Sequence, residues 1–204
     1  MVAFNQRERL LAGLAATVAE NGYAKTTVAQ ITTAASVSRR TFYEHFTDKE
    51  DCFLAAFDVL DSHLVELTNE AAAAEALWPD KVAAGLLAYL RYFASHPEFA
   101  RLYMIEAISV GEATNSRREV RAARFITLLE AGRRQRGAAA ELAEGLEEAL
   151  AGGVITLLFR RVRDGDAPQL ERFALGLIEF VLSPYLGPDA AAATAKRHTA
   201  NPTL

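Results

Sequence analysis

The sequence has 204 residues, 51% of them hydrophobic and 24% charged, and its formal net charge is −4. This composition excludes a disordered, collagen-like or disulfide-rich chain and supplies enough apolar side chains for a packed core. The acidic balance also excludes a strongly basic chain, so bulk charge alone does not indicate nucleic-acid binding. Alanine is abundant and alternating apolar–polar stretches are almost absent, so the periodicity predicts an all-α fold of about nine helices.

The first two predicted helices are defined by residues at their ends. Helix one covers about 5–20, and Asn21-Gly22 ends it because both residues tolerate the left-handed conformation of a helix end. Helix two begins after Thr27, and Gln30 lies three positions further on, which is the spacing of a capping box.

The third predicted helix is very short. Ser38 is a favourable N-cap, and the helix continues to about Phe46. Phe42 and Phe46 are four positions apart and are expected to anchor this helix from below. Because a tight turn separates helices two and three, the pair predicts a helix-turn-helix at about 28–47.

The outward face of helix three then carries Arg39, Arg40 and Tyr43. Arginine pairs bidentately with guanine in the major groove, so this face indicates DNA recognition. One alternative is a helical hairpin that merely packs against the rest of the chain, and another is that Tyr43 lies at the edge of the core.

Six further helices are predicted, at about 47–74, 79–96, 98–110, 116–135, 139–163 and 168–184. Thr47 and Glu50 have capping-box spacing at the start of the first of these. The fourth of them is rich in arginine. A solvated basic face is the expected explanation, a second nucleic-acid patch is the alternative, and one or two of these residues could pair with an acidic effector. The arginines are Arg117, Arg118, Arg121, Arg124, Arg133, Arg134 and Arg136.

Two stretches carry a family resemblance. Residues 26–31, Thr-Thr-Val-Ala-Gln-Ile, and residues 35–46, Ala-Ser-Val-Ser-Arg-Arg-Thr-Phe-Tyr-Glu-His-Phe, followed by Lys49-Glu50, resemble the DNA-binding domain of the TetR family of transcriptional regulators. The motif resemblance covers about 5–65, and beyond it only the number and length of the helices match.

The resemblance implies a TetR-like fold and a regulator without enzymatic activity. It implies a three-helix DNA-binding domain at 5–65 and a ligand-binding and dimerisation domain at 66–186. The tail at 187–204 is rich in alanine, threonine and proline, and we expect it to be flexible.

The resemblance also implies DNA-binding roles residue by residue. Thr27 would cap helix two and touch a phosphate, the recognition helix would meet base edges and backbone, and Lys49 would reach a phosphate from the next helix. The implied DNA-binding residues are Thr27, Ser38, Arg39, Arg40, Thr41, Tyr43, His45 and Lys49.

Two positions depart from the family pattern. The family usually has glycine in the turn, where this chain has Ser36, and a non-glycine residue in the left-handed region costs about 1 kcal/mol. The family usually has alanine near Gly13, and glycine inside a helix costs about 1 kcal/mol relative to alanine. Neither departure removes a DNA contact.

Helices five to seven are rich in aromatic residues and could line a cavity. Buried tyrosine hydroxyls need hydrogen-bond partners, which a ligand can supply. The alternative for each residue is an ordinary filled core. The candidate ligand-binding residues are Tyr89, Tyr92, Phe93, Tyr103, Met104, Phe125 and Leu129.

Helices eight and nine carry apolar stripes that a monomer would have difficulty covering. Two copies could bury them in a four-helix bundle with twofold symmetry. The candidate dimer-interface residues are Leu146, Leu150, Gly153, Leu157, Leu170, Phe173, Leu177 and Val181.

The resemblance, together with these patterns, implies a homodimeric repressor that binds double-stranded operator DNA and is released by a small apolar or aromatic effector. One alternative is a ligand-blind DNA-binding or architectural protein. The other is an all-helical enzyme, for which Glu106 and His96 are scattered candidates without base–nucleophile spacing.

The sequence predicts no metal site, cofactor or catalytic residue. The four histidines lack metal-ligand spacing, and no glycine-rich phosphate loop follows a strand. Cys52 is the single cysteine, the first residues contain no apolar signal segment, and the longest apolar stretch, 149–159, is too short to cross a membrane. We therefore expect a cytoplasmic protein without a membrane partner.

Overall fold

The computed structural model describes residues 2–135 and 142–200, and the side chains of residues 6–134 and 142–200. Within these ranges the regular structure is entirely helical, with ten α-helices and two 3-10 helices, which confirms the all-α prediction. The α-helices are α1 (Val2–Asn21), α2 (Val28–Ala35), α3 (Arg39–His45), α4 (Lys49–Ala73), α5 (Trp78–Ser95), α6 (Pro97–Met104), α7 (Glu112–Gln135), α8 (Leu146–Arg163), α9 (Ala174–Leu186) and α10 (Pro188–Thr199). The 3-10 helices are Glu106–Ser109 and Ala167–Phe173.

The chain forms two compact units. The first consists of Met1–His63 and His96–Arg117, and the second of Leu64–Ser95 and Arg118–Leu204. The first unit contains α6 in addition to α1–α3, because α6 packs against α1. A division of the chain at residue 66, which the sequence suggested, did not anticipate this return of the chain.

The first unit is held together at the crossing of α1 and α2. Leu10, Leu14 and Val18 of α1 are completely buried, as is Ile31 of α2. Each such side chain contributes about 1.5–3 kcal/mol by leaving water.

Gly13 sets how closely α1 approaches α2. A Cβ atom at this position would lie 2.9 Å from both Ala35 N and Ile31 O, which are backbone atoms. The departure from alanine at Gly13 therefore has a packing reason: the two helices are too close for a side chain.

Trp78 lies in the core of the second unit and is 6% exposed. Its indole Nε1 donates to Leu128 O at 2.8 Å, and its ring meets Tyr185 edge to face at 5.0 Å. A Cβ at Gly132 would lie 2.2 Å from the Trp78 ring, so this glycine makes room for the indole.

A partly buried ion pair connects α7, α8 and α9 within the second unit. Arg133 donates from Nε and Nη2 to the Glu147 carboxylate at 2.9 and 2.8 Å, and the Tyr185 hydroxyl donates to Glu147 Oε1 at 2.9 Å. The hydrogen bonds from Arg133 lower the pKa of Glu147 below its ordinary value. Burial, followed by the Glu147 carboxylate, raises the pKa of Tyr185.

The structure corrects the prediction of a flexible tail at 187–204. Residues Pro188–Thr199 form α10, which packs against α9 and α5. Its alanines are strong helix formers, and Ala191 and Ala195 are completely buried. Proline at its first turn favours the start of a helix, and residues 201–204 lie outside the described ranges.

Other helix ends also differ from the predictions. The α4 N-cap is Asp48, whose Oδ1 accepts the Asp51 N–H at 2.9 Å, so Thr47 and Glu50 do not form the predicted capping box. The α8 helix begins at Leu146 rather than near 139, because Gly145 has the left-handed φ of 74°. Part of the predicted start, 136–141, lies outside the described residues.

Two predicted helices are divided in the structure. The helix expected at 98–110 ends as α6 at Met104 and is followed by the 3-10 helix Glu106–Ser109. The helix expected at 168–184 begins as the 3-10 helix Ala167–Phe173 and continues as α9.

Candidate nucleic-acid interface

Hydrogen bonds fix both ends of α2, and those at its start are the ones that the sequence predicted. The Thr27 hydroxyl accepts the Gln30 N–H at 3.3 Å, and Gln30 Oε1 accepts the Thr27 N–H at 2.9 Å, which confirms the capping box. Ser36 has a φ of 52° and is therefore a non-glycine residue in the left-handed region, as expected. The Val37 N–H donates to Thr32 O at 3.0 Å and closes the turn.

The short α3 helix depends on packing from below. Phe42 is completely buried, Phe46 is 4% exposed, and their ring centroids lie 5.7 Å apart. The Ser38 hydroxyl accepts the Thr41 N–H at 3.0 Å, so the predicted N-cap is confirmed. Because a seven-residue helix is too short to be stable alone, these contacts are what preserve α3.

The opposite face of α3 is open to solvent. Tyr43 is 60% exposed, so it does not lie at the edge of the core. Arg39 is exposed, and the Arg40 side chain is 89% exposed. Arg40 Nε donates to Glu44 Oε1 at 3.0 Å, an exposed pair worth about 0.3–0.5 kcal/mol. Opening this pair to reach a base therefore costs little.

The remaining predicted DNA-binding residues surround this face. Thr27 and Ser38 are exposed, whereas Thr41 and His45 are half-buried. Lys49 is also half-buried, and its Nζ donates to Tyr23 O at 2.8 Å and lies 4.2 Å from the centroid of the Tyr23 ring. An ammonium group has three donors, so this bond leaves Lys49 able to meet a phosphate as well.

The backbone of Tyr23 is held from both sides. Glu106 Oε2 accepts the Tyr23 N–H at 2.8 Å, while the Tyr23 carbonyl accepts from Lys49. Glu106 is 6% exposed and pairs with Arg101 Nη2 at 3.0 Å through Oε1. The candidate enzyme residue Glu106 thus has a structural role, since it connects the 3-10 helix to the loop that precedes α2.

Sequence reasoning missed Arg9. Its Nη2 donates to Ser36 O at 2.9 Å, so an exposed guanidinium from α1 lies beside the turn of the helix-turn-helix. No local pattern indicates this contact, because the two residues are 27 positions apart.

The predicted ligand-binding residues are divided between the two units. In the second unit, Tyr89 and Tyr92 both meet the Phe93 ring edge to face, at 4.8 and 5.5 Å. Phe93 and Leu129 are completely buried, and Phe125 is half-buried.

The other two candidates, Tyr103 and Met104, belong to the first unit. Tyr103 is completely buried, stacks on Phe57 at 4.7 Å and donates its hydroxyl to Asp61. The protein itself therefore supplies the hydrogen-bond partner of the Tyr103 hydroxyl.

The predicted dimer residues fall into two groups. Leu170 and Val181 are completely buried, and Leu150 and Leu177 are 4% and 5% exposed, so these four belong to the core of a single chain and were wrongly assigned to an interface. The apolar periodicity of these helices does not indicate which side the chain itself covers. Gly153 is exposed, and the other three are half-buried: Leu146, Leu157 and Phe173.

One group of metal-ligating side chains occurs in the part of the chain that the structure describes. Glu75, Asp80 and His198 bring one ligand atom each within 4.8 Å of one another. However, Asp80 Oδ1 already accepts from Arg197 Nη2 at 2.7 Å and lies 3.0 Å from His198 Nε2. Burial raises the pKa of Asp80, but the hydrogen bonds from Arg197 and His198 outweigh it and lower that pKa. This cluster joins α10 to α5.

Comparison with known proteins identifies the N-terminal region. Residues 10–56 match the family model described as bacterial regulatory proteins, tetR family. No curated protein sequence matches the chain. Across the described ranges, no helix combines the length and apolar character needed to cross a membrane.

Solved structures share the fold over most of the chain. The fatty acid degradation regulator FadR from Bacillus halodurans superposes with a TM-score of 0.77 at 16% identity, covering 88% of this chain and 94% of that one. The transcriptional regulator FadR from Bacillus subtilis, in complex with stearoyl-CoA, superposes with a TM-score of 0.73 at 18% identity. The match covers 88% of this chain and 98% of that one. The TetR family regulator PfmR from Thermus thermophilus superposes with a TM-score of 0.68 at 20% identity. The match covers 89% of this chain and 96% of that one.

The family match coincides with the helices that present Arg39, Arg40 and Tyr43. Residues 10–56 therefore form a helix-turn-helix region of the tetR type, and the chain shares the fold of solved TetR family regulators.

Proposed function

We propose that the chain is a homodimeric, ligand-responsive repressor that binds double-stranded operator DNA through α3 of each copy. The observation that carries this proposal is the outward face of α3. Arg39, Arg40 and Tyr43 point to solvent from a helix of seven residues whose Phe42 and Phe46 are buried.

This face has the chemistry of a major-groove reader. The two arginines provide bidentate donors for guanine, and the hydroxyls of Thr27 and Tyr43 suit phosphate oxygens. Arg9 and Lys49 add positive charge beside the turn and the start of α4. Phosphate contacts of this kind supply affinity that depends on salt, whereas the contacts of the arginines with base edges supply specificity.

A second copy is proposed to cover an apolar face on α8 and α9. Leu175 is 38% exposed and Phe180 is 47% exposed, although both are large and apolar. The Phe180 ring lies against Gly153, where a Cβ would come within 3.1 Å of it. The accessible face contains Gly152, Gly153, Leu157, Leu175, Gly176 and Phe180.

The small residues on this face support a helix-on-helix contact between copies. Glycines let another helix approach closely, and a twofold axis would make each copy bury the same face of the other. A symmetric dimer also supplies the second reading helix that half-sites about 34–36 Å apart require.

The effector is proposed to be a small molecule with a large apolar part. Aromatic side chains from α5 and an apolar stripe on α7 lie in the second unit, and a solved structure with this fold is described in complex with stearoyl-CoA. Such a ligand can release the operator only if it binds the DNA-free arrangement of the two DNA-binding domains more tightly than the DNA-bound arrangement.

DNA recognition is tested by selecting sites from a random duplex pool and measuring affinity at one salt concentration. The variant Arg40→Ala should bind the selected site about 10- to 100-fold more weakly, as expected for the loss of a bidentate base contact. Arg134→Ala is the matched control, because Arg134 is also exposed and pairs with a glutamate four positions away, Glu130. Equal affinity and specificity for Arg40→Ala would refute the assignment of α3 as the reader.

The dimer is tested by sedimentation of the full chain. Phe180→Glu should shift the protein to a monomer, because it places a charge in the centre of the proposed interface. Val120→Glu on α7, where the side chain is 55% exposed, should leave the molecular mass unchanged. A dimer that survives Phe180→Glu would contradict the proposed interface.

Ligand response is tested by adding stearoyl-CoA to the protein–DNA complex and following fluorescence anisotropy of the DNA. Release of the DNA supports the proposal. DNA affinity that does not change with stearoyl-CoA or with a wider set of apolar compounds would favour a ligand-blind DNA-binding protein.

A further inference from the structure

The inward face of α7 changes character along its length. Leu129 is completely buried, Phe125 is half-buried, and Arg118 continues the same face because positions seven and eleven apart align on an α-helix. Arg121 lies on the adjoining edge, three positions from Arg118. At a rise of 1.5 Å per residue, Leu129 at the apolar end of this stripe lies about 16 Å along the helix from Arg118 at its basic end.

Arg118 differs from the paired arginines of the same helix. Arg117 donates to both carboxylate oxygens of Asp58, Arg133 does the same with Glu147, and Arg134 pairs with Glu130. The Nε atom of Arg118 is buried and has no hydrogen-bond partner among the residues that the structure describes.

The charge on Arg121 makes the charged form of Arg118 less favourable. Arg121 lies three positions along the same helix and repels the positive charge of Arg118. Burial, followed by repulsion from Arg121, lowers the pKa of the Arg118 guanidinium. A buried donor without an acceptor is costly, and a protein keeps few of them without a reason.

We propose that Arg118, with Arg121 beside it, binds the anionic group of the effector, a carboxylate or a phosphate, while Phe125 and Leu129 face its apolar part. This inference rests on the proposed function, because it assigns a chemical class to the effector of that regulator. An anionic amphiphile satisfies both ends of the stripe, since it gives the guanidinium a charged acceptor and covers the apolar side chains.

Three probes with the same acyl chain distinguish the sources of negative charge. Stearate carries a carboxylate, stearoyl-CoA carries phosphates, and stearyl alcohol is uncharged. Affinities are measured by calorimetry on the full chain for the wild type, for Arg118→Gln and for the control Arg134→Gln. The control removes the same charge from the same helix at a position that is already paired.

Arg118→Gln should weaken binding of the anionic probe by about 10- to 100-fold, as expected for a lost charge-assisted hydrogen bond. Binding of stearyl alcohol and the behaviour of Arg134→Gln should be unchanged. A loss confined to stearate identifies the carboxylate as the group bound, and a loss confined to stearoyl-CoA identifies the phosphates. Equal loss for the uncharged probe, no loss for either anion, or no binding of either anion by the wild type overturns the inference.

A second measurement does not depend on the choice of probe. Replacing Arg118 by methionine removes the buried, unpartnered Nε donor of this half-buried side chain from the ligand-free protein, so its Tm should rise by about 2–4 °C. A lower Tm would show that Arg118 stabilises the fold and would overturn the inference.

The two proposals fail separately. If stearoyl-CoA does not release DNA from the wild-type protein, the proposed ligand response fails for this class of effector. If it does release DNA and Arg118→Gln responds at the same ligand concentration, only the role of Arg118 fails.

Discussion

Replacing Gly13 by alanine tests how closely α1 and α2 approach each other. Helix propensity alone favours alanine over glycine by about 1 kcal/mol. The new Cβ, however, would lie 2.9 Å from Ala35 N, 2.9 Å from Ile31 O and 3.1 Å from Ala35 Cβ. Two of these atoms are backbone and cannot rotate away, so α2 must move.

Overpacking of this kind typically costs about 1–3 kcal/mol, and a contact with backbone atoms belongs in the upper half of that range. After subtraction of the propensity gain, Gly13→Ala should lower the free energy of unfolding by about 1–2 kcal/mol. Because α2 supports the turn that precedes α3, affinity for a selected operator should fall as well.

The measurement is urea unfolding followed by far-ultraviolet circular dichroism at fixed protein concentration, since association affects apparent stability. Ala16→Gly, at an exposed position of the same helix, calibrates the propensity difference and should cost about 1 kcal/mol. If Gly13→Ala instead stabilises the protein by the amount that Ala16→Gly destabilises it, the helices do not meet closely at this point and the reasoning is refuted.

Three further predictions concern single side chains. Ser36→Gly should raise the free energy of unfolding by about 1 kcal/mol in the same assay, because glycine adopts the φ of 52° without strain, and an unchanged or lower value would contradict this. The carboxylate of Glu147 has a lowered pKa, so its contribution to stability is present above the ordinary value of 4.5 and is lost as the pH falls further. The Tm of Glu147→Gln should therefore lie below that of the wild type at neutral pH and fall less steeply below pH 4.5, and parallel pH profiles would show that the bond to Arg133 is unimportant. Burial raises the pKa of the Cys52 thiol to about 12, so a maleimide should react with it at pH 8 only after urea is added, and rapid reaction in the folded protein would disagree with its burial.

The DNA-binding region was predictable in detail because its determinants are local. Thr27 and Gln30 form a capping box, Ser38 caps α3, and Phe42 and Phe46 share a face. In each case the interacting residues lie within four positions of each other in the sequence. Short-range geometry of this kind follows from helix periodicity alone.

Contacts between distant residues could not be predicted in this way. The bond from Arg9 to Ser36 and the bond from Tyr23 to Glu106 join residues 27 and 83 positions apart. The reason for Gly13 likewise became clear only when the backbone of α2 was seen beside it.

The dimer residues show a different limit. Helix α9 is apolar on both sides, so periodicity identifies two stripes without indicating which one is already used by the chain itself. Leu177 and Val181 of α9, together with Leu170 of the preceding 3-10 helix, fill the core. Leu175 and Phe180 on the other side of α9 remain accessible. The tail was misjudged because an alanine-rich composition fits a helix as well as it fits a linker.

The dependence of α3 on two buried phenylalanines has a consequence for engineering altered operator preference. Because the seven-residue helix has no stability of its own, transplanting it into another scaffold would transfer the reading side chains without the support that orients them. Libraries that vary Arg39, Arg40 and Tyr43 while retaining Phe42 and Phe46 should therefore yield folded variants with new specificities far more often than libraries that randomise the whole segment.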